Sequence, residues 1–277
     1  MGLLQGKKGV IMGIANSHSI AAGIAKTLHA EGAELAYSHL PDRDERGRME
    51  RRVRNVVDAL NPALVFPCDV TSDEDVQRFF GAVGQKLGRI DFVVHSIAYA
   101  PLEDIRGPLL RASRAGFKEA MDISVYSLVT VARAALEIMA EGGAICAMTY
   151  LGGEKVIPGY NMMGVCKAAL DMTVKYLAYD LGAHRVRVNA LSSGPIKTLA
   201  SSAVGDFKEM LKAAEHLAPL GRGVTLEDVG RTALYLVSDL SQATTGEIHH
   251  VDCGYNILGA VPQPRDLVQA KPSGDVG

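Results

Sequence analysis

The stretch YLGGEKVIPGYNMMGVCK, residues 150–167, contains two tyrosines and a lysine whose spacing could hold or move a proton. Tyr150 and Tyr160 lie ten positions apart, and Lys167 follows the second by seven. On a continuous helix, seven residues make about two turns and roughly 10 Å of rise, so Tyr160 and Lys167 would share a face. An ammonium near a phenol favours the phenolate and lowers its pKa, suiting the phenol to donate a proton near neutral pH. Tyr150 stands ahead of a turn containing Gly and Pro. A core tyrosine followed by an exposed lysine would produce the same letters. The surrounding elements have to decide.

Those elements alternate regularly. Strand patterns are read at KKGVIMG, AELAYSH, ALVFPCDV, DFVVHSIA, GAICAMTY, RVRVNALSS and GEIHHVDC. Helical patterns separate them: SIAAGIAKTLHAEGA ending at Gly32, a charged helix around ERGRMERRVRNVVDAL, DEDVQRFFGAVGQKLG, the long AGFKEAMDISVYSLVTVARAALEIMA, the Tyr160 helix to about Leu181, and LEDVGRTALYLVSD. Buried-looking strands in β/α alternation predict a Rossmann-like, doubly wound parallel sheet of about seven strands with helices on both faces. One domain is expected over residues 1–260, with an extended tail over 261–277.

The first strand turn is built to meet an anion. Gly13 follows the strand directly, and Ser19, Ile20 and Gly23 open the first helix. Free N–H groups and the helix dipole both face a ligand at such a turn. Gly13 permits the tight turn, and Gly23 allows close helix–sheet packing. The fingerprint G-x-G-x-x-G is absent, with Ala15 at its second position and a longer turn, so glycines serving only packing are an open alternative. Asp69-Val70 ends the third strand, where a carboxylate and backbone groups could meet an adenine amino group. Thr71 or Ser72 with Glu74 or Asp75 would make a capping box there in any case. Ser96-Ile97-Ala98 ends the fourth strand with small residues suited to a ribose. All of these fall at the carboxyl edge of the sheet, where such folds bind ligands.

Bulk properties exclude several classes. The 277 residues carry a formal charge of −2, with no general attraction for nucleic acid or an anionic membrane. No apolar run reaches the ~18 residues of a spanning helix. The start MGLLQGKKGV has no signal-peptide apolar region, and Gly6 stands where a myristoylation signal needs Ser or Thr. Cys68, Cys146, Cys166 and Cys253 show no metal-type spacing and are expected to be buried thiols. The eight histidines are scattered, with no metal site expected. A cytoplasmic enzyme is the expectation.

Together the motifs GIANSHSIAAGIA, CDV, HSIAYAP, YLGGEKVIPGYNMMGVCKAAL, RVNALSSGPIKTLA and VDCGY resemble the short-chain dehydrogenase superfamily, and within it the enoyl-acyl-carrier-protein reductases. The resemblance runs from about Gly2 to Gly259. Many dehydrogenases of that superfamily carry Tyr-x3-Lys, whereas this chain has the Tyr-x6-Lys of the enoyl reductases. The resemblance implies reduction of trans-2-enoyl thioesters on acyl carrier protein, with NADH as cofactor and NADPH still open. It implies that Tyr160 stabilises the enolate oxygen, Lys167 holds the nicotinamide ribose, and Tyr150 lines the acyl pocket. Gly194, Pro195, Ile196 and Thr198 would hold the nicotinamide amide and pyrophosphate. A lid over about 197–220 would place Ala200, Phe207 and Met210, with Met163, against the fatty chain.

At the end of the second strand, Leu40 replaces the glutamine or basic residue of related enzymes. Asp42 is near, and Arg43 is the arginine best placed for a 2′-phosphate; the balance favours NADH. Lys208 and Lys212 are candidates for docking the acidic carrier. A homotetramer is implied, with apolar faces on VYSLVTVARAALEIMA and the Tyr160 helix to build it. The competing readings are a 3-ketoacyl or other carbonyl reductase and a non-catalytic nucleotide sensor.

Overall fold

In the computed structural model, residues 2–42, 46–139, 142–196, 211 and 214–259 are described. Strand β1 (Lys8–Met12) leads into helix α1 (Ile20–Ala30), followed by β2 (Glu34–His39), α2 (Arg48–Val57), β3 (Leu64–Pro67) and α3 (Asp73–Leu87). Next come β4 (Phe92–His95), the short α4 (Leu102–Ile105), α5 (Arg114–Met121), α6 (Ser127–Leu136) and β5 (Gly143–Thr149). Helix α7 (Asn161–Gly182), β6 (Val186–Ser193), α8 (Leu226–Val237) and β7 (Ile248–Val251) complete the described elements. The seven strands form one parallel sheet in the order β3-β2-β1-β4-β5-β6-β7.

Strand periodicity divides the core in two. Val10 and Met12, Val93, Ile145 and Ala147 face one side, packing with Phe79, Leu128, Val131 and Leu170 of α3, α6 and α7. Ile11, Phe92, Val94 and Cys146 face the other side, against Ile24, Leu28, Val53 and Val229 of α1, α2 and α8. Successive side chains of a strand point to opposite faces, so strands apolar throughout need helices on both. Each fully buried aliphatic side chain contributes about 1.5–3 kcal/mol. All four cysteines are buried free thiols.

The long helical pattern after β4 is not one helix. Between α5 and α6, residues Asp122–Tyr126 form a π-helical turn. Ser124 within it is fully buried; its hydroxyl donates to Tyr99 O and accepts from Tyr99 N–H, each at 3.0 Å. The widened turn faces the loop after β4, and such insertions recur beside functional sites.

Candidate active site

The order of strands reverses between β1 and β4, and the segments leaving these two strands meet. Gly13 has φ +99, and a Cβ there would lie 2.0 Å from the carbonyl oxygen of Ser96. Only glycine combines that backbone with that approach. Ser19 is the N-cap of α1 without capping it: its hydroxyl donates back to Asn16 O at 2.7 Å, and the first turn holds no acidic residue. By contrast, Ser72, Ser113 and Thr225 cap α3, α5 and α8 with their side chains. The open start of α1 is what a pyrophosphate requires. Ile20 packs against the core beneath it.

Around this crevice the other predicted contacts are mostly in reach of the same edge. Ser96, Ile97 and Ala98 follow β4, with Ala98 exposed. Gly194 is buried and its N–H donates to Val251 O at 2.8 Å; Pro195 and Ile196 follow, half-buried. Leu40 is 51% exposed just past β2. Asp42 is not free to read a ribose: its carboxylate accepts from Met49 N and Glu50 N at 2.7 and 3.2 Å, holding the start of α2 and lowering its pKa.

Strand β3 stops at Pro67, so Asp69 and Val70 lie in the loop beyond it rather than ending the strand. Asp69 Oδ1 accepts from the Thr71 N–H and hydroxyl at 3.0 and 2.7 Å. Asp75 accepts from Asp69 N, so the reciprocal capping box over Ser72 does not form. Arg43, Thr198, Ala200, Phe207, Lys208, Met210 and Lys212 lie outside the described residues, as do most of the expected lid and the 261–277 tail.

Tyr150 and Tyr160 come together, but not through helix arithmetic. Helix α7 starts at Asn161, so Tyr160 is its N-cap, and Asn161 has φ +27. Tyr160 therefore stands at the mouth of the helix rather than within it, and the turn at Asn161 aims its ring. That ring meets Tyr150 edge-on, with centroids 4.8 Å apart and planes at 71°. Two glycines shape the slot. A Cβ on Gly152 would stand 2.4 Å from Tyr160 Cδ1, and one on Gly164 2.8 Å from Gly152 O. Gly152→Ala is expected to displace the ring and lower turnover by roughly 10–100-fold, with little change in NADH affinity. Parallel turnover and NADH fluorescence titrations check this.

The electrostatics also differ from expectation. Burial around the hydroxyl, helped by Tyr150, Cys166 and Asp171 nearby, raises the Tyr160 pKa well above its ordinary value. The shift is upward, opposite to the lowering by the Lys167 ammonium that the spacing predicts. The lysine is 5% exposed, and its Nζ donates to Met148 O at 2.7 Å, at the end of β5. Burial brings Lys167 down to about 8, against the opposing pull of Asp171 and Cys166. Tyr150 is raised to about 12 by burial and by Tyr255 and Asp252. Met163, expected on the acyl chain, is 7% exposed and sits in the core beside Met162 and Cys166.

Two buried polar residues near the lysine were not singled out in the sequence. The Ser127 hydroxyl donates to Ile123 O at 2.6 Å, so at 2.8 Å it accepts from His95 Nε2–H. That leaves His95 Nδ1 as a bare buried acceptor. Burial, and then the charge of Lys167, hold the ring neutral with a pKa of about 3. Asp171 lies one helical turn beyond Lys167, 8% exposed, and neither carboxylate oxygen completes a hydrogen bond. Burial raises its pKa, while Thr149 and Lys167 pull it down; the Thr149 hydroxyl is near without reaching hydrogen-bond geometry. A lone Asp four residues after a Lys reads in sequence as a surface pair, which concealed it.

The model of the family described as Enoyl-(Acyl carrier protein) reductase matches residues 13–256. The chain belongs to the enoyl-acyl-carrier-protein reductase family. It is 51% identical over 261 residues to an enoyl-acyl-carrier-protein reductase (NADH) of Bacillus cereus, covering 94% of this chain and all of the relative. Among solved structures it is similar to the Anaplasma phagocytophilum enoyl-acyl-carrier-protein reductase in complex with NAD. That match has a TM-score of 0.89 and 45% identity over 95% of this chain and 98% of that one. It is also similar to a Bacillus cereus enoyl-acyl-carrier-protein reductase with NADP+ and an indole naphthyridinone. There the TM-score is 0.90, with 50% identity over 94% of this chain and all of that one. In this enoyl reductase, then, the crevice at the β1–β4 reversal, the uncapped α1 and the glycine contact at Ser96 suit a dinucleotide.

Proposed function

We infer that the protein reduces the C2=C3 double bond of trans-2-enoyl thioesters carried on acyl carrier protein, using NADH, in fatty-acid elongation. The observation that carries this reading is the Tyr150–Tyr160 pair standing at the carboxyl edge of β5, where Lys167 donates to Met148 O. When bound, NADH would supply the hydride that C3 takes up, leaving negative charge on the thioester oxygen until C2 takes a proton from water. Tyr160 donates a hydrogen bond to that oxygen, and its raised pKa keeps the donor proton in place. Lys167 holds the nicotinamide ribose hydroxyls, and Tyr150 borders the acyl chain. Gly13, Ser19, Ile20, Ser96, Ile97, Ala98, Pro195, Ile196 and Thr198 line the cofactor, with Leu40, Asp69 and Val70 toward its adenosine end. Leu40 in place of a basic residue favours NADH over NADPH.

Hydride attack two carbons from the carbonyl explains why the acid stands far from the lysine in sequence. A ketone reductase would need it next to the attacked carbon. The test is NADH consumption with a short trans-2-enoyl thioester, beside the matching 3-ketoacyl thioester and NADPH. Oxidation of NADH with the enoyl substrate alone is expected. Oxidation with the ketoacyl substrate would refute the assignment, and binding without turnover would favour a sensor.

The expected lid over about 197–220 is assigned to the acyl chain through Ala200, Phe207 and Met210, and Lys208 and Lys212 are assigned to the acidic carrier. The protein works as a cytoplasmic homotetramer. Supporting the assembly, α7 exposes Val165, Met172, Tyr176 and Tyr179, the last at 85%. Among the described residues no helix is long and apolar enough to cross a membrane.

A further inference from the structure

Tyr160 heads α7 without being part of it, so something other than the helix must fix its direction. The neighbouring residue does three things at once. Asn161 takes φ +27, a backbone that Asn tolerates and most side chains do not. Its Oδ1 accepts from the N–H of Met162, one of the orphan donors of the first turn. Its Nδ2 donates to two carbonyls of a distant segment, Ile105 O at 2.6 Å and Gly107 O at 2.9 Å.

That segment is itself held from its other side. Asp104 is 6% exposed and accepts from both the N–H and the hydroxyl of Ser113 at the head of α5. Gly107 turns with φ +85, and beyond it Leu109 and Leu110 are exposed, the latter almost completely. The 102–111 segment is thus tied to the catalytic side of the molecule by a side-chain amide, and that amide belongs to the residue bonded to Tyr160.

We propose that Asn161 is a positioning residue: it locks the turn that aims Tyr160 and ties it to the Ile105–Gly107 loop. The proposal rests on the assigned role of Tyr160. Without the amide, the backbone at 161 relaxes toward negative φ, the Tyr160 peptide rotates, and the ring leaves its slot between Gly152 and Gly164. A misplacement of about 1 Å can cost on the order of 100-fold in rate.

Asn161→Asp and Asn161→Gly separate the functions. Asp keeps the acceptor for Met162 and tolerates positive φ, but loses both donors to the loop. Gly keeps the backbone freedom and loses every side-chain bond. Both are expected to fold and to bind NADH within twofold of wild type, with kcat for a trans-2-enoyl thioester down by about tenfold or more and KM for NADH unmoved. Asn161→Ala, which opposes positive φ as well, is expected to lose at least as much. Wild-type kcat in both the Asp and Gly variants would overturn the proposal, as would a loss of NADH affinity equal to the loss of kcat. Tyr160→Phe in the same assay keeps the two levels apart. A fully active Phe variant removes the role of Tyr160 itself, whereas an inactive Phe variant beside active Asn161 variants removes only the clamp.

Discussion

Tyr160→Phe is expected to lower kcat for a trans-2-enoyl thioester by about 10²–10³, the usual cost of deleting one donor to a developing oxyanion. NADH affinity should stay within about twofold, since the deleted hydroxyl is assigned to the substrate. The substitution is conservative where it must be. Phenylalanine keeps the edge-on contact with Tyr150 and the fit against Gly152 and Gly164, so the slot survives while the donor is lost. The pH dependence gives a second test. Burial raises the Tyr160 pKa, so the group is protonated throughout the ordinary working range and its ionisation contributes no alkaline fall in rate. Had the lysine lowered this pKa, as the spacing suggested, activity would decline as the phenol ionised. Steady-state NADH oxidation across pH, for wild type and the Phe variant, distinguishes the two. An undiminished kcat in the Phe variant would remove the hydroxyl from the mechanism.

The sheet was legible in the sequence because its signals are local. Seven short strand-like runs separated by helical periods leave few alternatives, and each run proved to hold a strand of the parallel sheet. The anion turn was legible for the same reason, since Gly13 and the start of α1 are adjacent in sequence. What failed was an inference from helical periodicity across a boundary. Tyr160 and Lys167 both flank the Gly152–Gly153 turn, yet the helix begins only at Asn161, after the tyrosine. The pair YN carried the signal, because an Asn just inside a helix start is a residue that tolerates left-handed backbone. Other misses were tertiary. His95 becomes a buried neutral acceptor only through Ser127, thirty-two residues away, and Asp171 is buried only because Gly153 lets the 151–153 turn close over it. No spacing rule could have shown either. The π turn at Asp122–Tyr126 escaped because its apolar pattern continues smoothly into α6.

Removing the Lys167 ammonium, by mutation or by pH, is expected to cost NADH affinity. For Lys167→Ala the Kd for NADH should rise by about 10–100-fold, the worth of roughly 1.5–3 kcal/mol in charge-assisted hydrogen bonds. In wild type the same loss should appear as pH rises. The free enzyme's Lys167 titrates at about 8, and binding that needs the charged form is constant below that value and weakens above it. The Ala variant should show no such decline, because its titrating group is gone. Stability runs the opposite way. The folded pKa lies below the ordinary 10.5, so between about 8 and 10.5 the unfolded chain binds more protons and this group's contribution to stability rises with pH. At neutral pH the buried charge is therefore a burden on the free protein, offset in part by Asp171. Lys167→Met, which preserves the side chain's bulk, should leave the free protein at least as stable as wild type while binding NADH poorly. A protein that lost stability and affinity together would mean the lysine serves the core, and unchanged affinity in either variant would end its assignment to the ribose.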